Sequence, residues 1–169
     1  MRNIIIDGYN VIRAEPRFQS LERVSLEHAR DVLVQTLASA PRLSNERIVV
    51  VFDGRFGSRS HVHASRRGRV EILYSGIGQT ADEVIIDQVR RLLPARTVVV
   101  SNDLEVRDRA RVMGSDVSSA ENLLKQVPGP VLKRRTDEDD AEERATLSTV
   151  KRGNPRRSSR KSRRREVRF

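Results

Sequence analysis

Apolar runs and polar punctuation alternate along this chain in a regular order. Ile4 to Ile6 is a continuous apolar run, the pattern of a strand buried on both faces, and it stops at Asp7. Gly8 follows and is expected to let the backbone turn sharply. The construction recurs where Ile48 to Phe52 ends at Asp53, and where Val98 to Asn102 ends at Asp103.

Between the strands the apolar period lengthens to that of helices. Residues 14–24 contain Pro16 and no clean period, and read as a loop or short helix. Ser25 is an N-cap for a helix whose stripe is Leu26, Ala29, Leu33 and Leu37, ended by Pro41. Arg47 to Phe52 is the second strand, and Val70 to Tyr74 a further one. Thr80 and Glu83 form a capping box for a helix with Ala81, Val84, Ile85, Val89 and Leu92 on its apolar face, ending at Pro94. Arg96 to Ser101 is a strand, Leu104 to Met113 a helix closed by Gly114, and Asp116-Val117 a short edge strand. Ser118 with Glu121 reads as a second capping box, opening a helix that ends before Pro128.

Strands alternating with helices at this spacing predict an α/β sandwich around a mainly parallel sheet. Residues 1–130 are the expected domain, 131–150 an acidic linker or short helix, and 151–169 a disordered Arg/Lys-rich tail. The formal charge of +10 changes meaning once it is located: ten Lys/Arg against one Glu in residues 151–169 give +9, leaving +1 for residues 1–150. The folded part is nearly neutral and the tail is polycationic. With no cysteine, disulfides and thiolate metal sites are excluded, which fits a reducing compartment. No apolar run approaches a membrane span and no secretory pattern opens the chain, so a cytoplasmic protein is expected.

If the strands run parallel, Asp7, Asp53 and Asp103 reach one edge of the sheet, where open parallel sheets hold ligands. Asp82, in the first turn of a helix that follows a strand, starts at the same edge. An Asp in such a place is often a cap or turn former. Several together repel one another unless a cation offsets them. Oxygen donors without Cys suit a hard cation, so Asp7, Asp53, Asp82 and Asp103 are the candidate ligands of Mg²⁺ or Mn²⁺. A metal there activates water and clamps phosphate oxygens. Asp7, Asn10, Asp82 and Asp103 are the candidate catalytic set, with Asn10 orienting a water or phosphate, or forming a turn.

Residues 55–69 hold five arginines and two histidines with almost no apolar residue, and read as a long basic surface loop. Arg55, Arg59, Arg66, Arg67 and Arg69 are expected beside the acidic edge, positioning the phosphates of a negative substrate; a merely solvated loop is the other reading. Aromatics make up 4% of the chain, so stacking platforms are not prominent.

Four motifs in order, IIIDGYNVI at 4–12, VVVFDG at 49–54, YSGIGQTADEVI at 74–85 and VVVSNDLEVRDRA at 98–110, resemble the YacP-like NYN domain family, a branch of the PIN-like ribonucleases. The resemblance runs from about residue 2 to 127. It implies a PIN-like three-layer α/β sandwich and an acidic cluster binding Mg²⁺ or Mn²⁺ for RNA cleavage. Asp7 matches the first-strand acid, Asn10 the Asn of DGYN, Asp82 the acid of TAD, and Asp103 the acid after the fourth strand; Asp53 matches the FDG acid, in a secondary role. Where the family often has Ser/Thr-Asp, this chain has Ser101-Asn102-Asp103, which leaves either Asn102 or Asp103 to face the metal. Endoribonuclease action on messenger or structured RNA, in some members in association with ribosomes, is implied; a noncatalytic RNA- or ribosome-binding protein is the alternative. A P-loop is absent, and Asp7 lacks the second Asp two residues on that phosphatases with an Asp nucleophile use.

Overall fold

The computed structural model describes residues 1–54, 62–127 and 129. The acidic linker, the basic tail, Arg55, Arg59 and His61 lie outside the described residues.

Six strands form one sheet in the order β3-β4-β2-β1-β5-β6. They are β1 (Asn3–Asp7), β2 (Arg47–Phe52), β3 (His63–Arg67), β4 (Val70–Tyr74), β5 (Thr97–Val100) and β6 (Asp116–Ser118). All neighbours are parallel except β3, which runs back along β4 with His63 opposite Tyr74 and Arg67 opposite Val70. The central strands are isoleucine and valine because both of their faces are covered. Ile4, Ile6, Ile48, Val50 and Phe52 pack on one side, against α1 (Gly8–Ala14), α2 (Pro16–Val24), α3 (Leu26–Ser39) and α6 (Ala120–Leu124). Ile5, Val49 and Val51 pack on the other, against α4 (Ala81–Arg91) and α5 (Leu104–Val112). This is the three-layer sandwich expected.

Ser25 caps α3 by accepting from the His28 amide, and the Thr80–Glu83 capping box is complete. Of the loop or short helix read for residues 14–24, the structure has the helix: two helices occupy 8–24, with a break at Glu15. The sequence reading needs correction in three places. Gly8 is the first residue of α1 and its φ is not positive; glycine is required because a Cβ there would lie 2.2 Å from the Phe52 ring. His63 to Arg67 is an edge strand, not a loop. Ser119, not Ser118, caps α6, accepting from the Asn122 amide, since Ser118 is still the end of β6.

Candidate active site at the carboxyl edge of the sheet

Asp7 is both the last residue of β1 and the N-cap of α1. Its Oδ1 accepts from the Asn10 amide at 3.1 Å, and its Oδ2 accepts from Asn10 Nδ2 at 2.5 Å and from Ser101 Oγ at 3.3 Å. Only 5% of Asp7 is exposed. Burial is the main reason its carboxyl sits above the ordinary carboxylate range, and the charge of Asp103 adds to that, while the Asn10 and Ser101 hydrogen bonds pull the other way.

Across the edge, Ser101 Oγ also accepts from the Asp103 amide at 3.1 Å, and Asp103 Oδ1 caps α5 by accepting from the Glu105 and Val106 amides. Ser101 thus ties the end of β1 to the start of α5. Asp82 enters from the first turn of α4. Its carboxyl is held up first by desolvation and then by the charges of Asp7, Asp103 and Glu105; Arg109 pulls the opposite way. Three carboxylates from three different elements therefore act on one another. Glu105 is an addition that sequence reasoning missed; its place in the first turn after Asp103 was the available signal.

Asn102 and Asp103 have different partners. Asn102 turns away to α6, donating to Glu121 Oε1 at 2.7 Å and accepting from the Ala120 amide at 2.9 Å. Asp103 is the residue whose charge reaches Asp7 and Asp82.

Asp53 stands at the end of β2, its Oδ1 accepting from Ser75 Oγ at 3.2 Å. Gly54 donates its amide to the same hydroxyl at 2.9 Å, and a Cβ at Gly54 would sit 2.0 Å from the Ser75 carbonyl oxygen. Asp53 lines an open cleft of about 570 Å³ with Gly54 and the loop from Gly76 to Thr80. The donor set of Asp7, Asp82 and Asp103 is all oxygen and anionic, which fits a hard cation. Among the described residues, no three acids or histidines close around one point as a finished ligand set.

Three of the arginines, Arg66, Arg67 and Arg69, are not where the sequence reading puts them. Because β3 is antiparallel, Arg66, Arg67 and Arg69 lie at the amino edge of the sheet, opposite the acids. Arg69 caps α3, donating to the carbonyl oxygens of Leu37, Ala38 and Ala40. Arg67 pairs with Asp31 at 3.2 Å, and Arg66 Nε donates to the Gly68 carbonyl at 3.0 Å.

A mainly parallel sheet between two helical layers, with strand-end acids gathered at its carboxyl edge, defines a PIN-like domain, a nuclease-type fold. The chain belongs to the YacP-like NYN domain family, whose profile matches residues 4–164. The match runs past residue 127, where the motif resemblance ended, through the acidic run and into the basic stretch. A curated relative, uncharacterized protein YacP of Bacillus subtilis (strain 168), is 31% identical over 126 residues, which is 73% of this chain and 74% of that protein. The crystal structure of Rae1 (YacP) from Bacillus subtilis is similar with a TM-score of 0.63 at 29% identity, covering 89% of this chain and 83% of that one. A point mutant of the same protein gives 0.62 and 29%, with 89% and 86% covered. No helix among the described residues is long and apolar enough to cross a membrane.

Proposed function

We propose that this protein is a metal-dependent endoribonuclease that hydrolyses RNA phosphodiester bonds in the cytoplasm, with messenger RNA on ribosomes as its expected setting. The observation that carries this reading is the mutual charge of Asp7, Asp82 and Asp103, brought from β1, α4 and α5 to one edge. These residues would hold one or two Mg²⁺ or Mn²⁺ ions, with Asp53 on the flank. The metal would supply Lewis acidity and an activated water for attack at phosphorus.

The chain's own residues prepare that site. Asn10 donates its side-chain amide to Asp7 and so acts as a positioning residue for the carboxylate. Ser101 spans Asp7 and the Asp103 amide, fixing the spacing of the two acids. The partly buried acidic edge favours a cation before RNA arrives, and a cation held there would offset the repulsion between the acids and phosphate.

The test is cleavage of a mixed RNA pool by wild type, Asp7→Asn and Asp82→Asn, each with Mg²⁺, with Mn²⁺ and with EDTA. Metal-dependent cutting by the wild type alone supports the nuclease. RNA binding without cutting by any of the three, with ribosomes present, favours the noncatalytic binder.

A further inference from the structure

Asp7 and Asp103 occupy the half of the carboxyl edge over β1 and β5. The half over β2, β4 and β3 carries Asp53 and a row of aromatic rings. Phe52 at the end of β2 stacks on Tyr74 at the end of β4, with ring centroids 5.7 Å apart and planes at 26°. His63 continues the row, 6.3 Å from Tyr74 at 19°, and Tyr9 meets Phe52 edge-on at 5.3 Å and 63°. The Arg30 guanidinium lies 5.5 Å from the Tyr74 ring centroid, and Arg13 lies 5.5 Å from that of Tyr9. The sequence holds two tyrosines and no tryptophan, and both tyrosines are here. The scarcity of aromatics along the chain conceals their concentration at one place.

Core packing accounts for Phe52, which is fully buried. Tyr9 and Tyr74 also pack against that core, yet they, Arg30 and His63 are each only partly buried and keep some of their surface open. The Tyr9 hydroxyl and Arg30 Nε are buried atoms without a hydrogen-bond partner among the described residues, a costly state for packing alone. Asp31, next to Arg30 in sequence, pairs with Arg67 rather than with it. Half-exposed rings beside a guanidinium are the means by which proteins hold unpaired bases and their phosphates. Tyr9 also lies two residues beyond Asp7 in the chain, so the patch and the acids share α1.

We propose that Tyr9, Arg30, His63 and Tyr74 form a subsite for one nucleotide of single-stranded RNA next to the acids, with its base against the His63 and Tyr74 rings and its phosphate on Arg30. This rests on the ribonuclease reading and extends it to a preference for unpaired substrate, because the bases of a duplex are stacked inside it.

With no tryptophan and both tyrosines in the patch, tyrosine emission of the full chain reports this site, whatever the basic tail binds. A short single-stranded RNA is titrated in EDTA while its own binding is followed by the anisotropy of a terminal label. Saturable quenching of the tyrosines, absent with a duplex of the same sequence, is expected. Arg30→Met should weaken the quenching isotherm about tenfold, with a thermal melt to confirm folding. The wild-type titration needs no variant. RNA binding seen by anisotropy with unchanged tyrosine emission overturns the subsite, as does equal quenching by the duplex. If Asp7→Asn abolishes cleavage while RNA leaves the tyrosines unquenched, the nuclease stands and the subsite falls. Saturable quenching without cleavage under any metal leaves the subsite in a protein that only binds.

Discussion

The two edges of the sheet are made from similar materials and arranged to opposite ends. At the amino edge, Arg2 faces Glu46 at 3.2 Å, Arg47 faces Glu71 at 2.9 Å, and Arg69 is bound to helix carbonyls. At the carboxyl edge, Asp7, Asp82 and Asp103 face one another, with Glu105 beside them. Each edge opens onto a cleft, about 600 Å³ at the first and about 570 Å³ at the second. Size therefore does not tell the two edges apart. The sign of neighbouring charges does: opposite signs alternate at the amino edge, and like signs gather at the carboxyl edge.

Substitutions at the two edges should separate along that line. Asp7→Asn should lower metal-dependent RNA cleavage by about a thousandfold, since removing a site carboxylate forfeits several kcal/mol of transition-state stabilisation. Single-turnover cleavage with a circular dichroism check of folding would measure it. Next in size, Gly54→Ala should destabilise the protein by about 3 kcal/mol, because the new methyl meets the Ser75 backbone carbonyl, which has little room to yield. Urea denaturation reads that directly. Arg69→Met should cost about 2 kcal/mol by leaving the end of α3 without its donors, yet leave the cleavage rate of the folded fraction unchanged. A fall in that rate would mean that the amino edge takes part in catalysis and would break the contrast.

The pH dependence should carry opposite signs at the two edges. Asp82 has its folded pKa raised above 3.8, so the native state holds its proton more tightly than the unfolded chain does. Its contribution to stability is greatest below 3.8 and is lost as pH rises towards the folded value. Asp82→Asn should thus raise the Tm of the metal-free protein at neutral pH, with the gain vanishing in acid; added Mg²⁺ should raise the Tm of the wild type and not of the variant. Glu46 is the reverse case, lowered below 4.5 mainly by the Arg2 amide, so its contribution is present above 4.5 and lost as pH falls through the folded value. Glu46→Gln should cost only about 0.5 kcal/mol at neutral pH, the scale of a solvent-screened pair. A larger loss than for Arg69→Met would reverse the order.

Much of the fold is legible in the sequence because buried parallel strands and capped helices leave strong local signals. The Ile4–Ile6 and Ile48–Phe52 runs mark the central strands, and the Thr80–Glu83 box marks the start of α4 within a residue. The acids are legible too, since each is joined to such a signal. The edge strand β3 is not. Its residues HASRR are intermediate or exposed throughout, so no apolar alternation betrays it, and its pairing with β4 is a nonlocal fact. Missing that strand misplaced Arg66, Arg67 and Arg69, because a loop at the acidic edge and a strand leading away from it put the same residues at opposite ends of the sheet. The aromatic row was hidden for a related reason: Tyr9, Phe52, His63 and Tyr74 come from four elements and meet only in three dimensions.

Asp7 has one more consequence, through the way it is mounted. Strand β1 ends on it and helix α1 begins at the next residue, so no connecting segment lies between the carboxylate and two elements of the core. Many active sites ride on loops that open long before the protein does. Here the amide of Asn10, which donates to Asp7, is expected to exchange with deuterium only as slowly as global unfolding permits. The central acid should stay in register until the whole domain comes apart, and loss of activity on heating should coincide with loss of the fold rather than precede it.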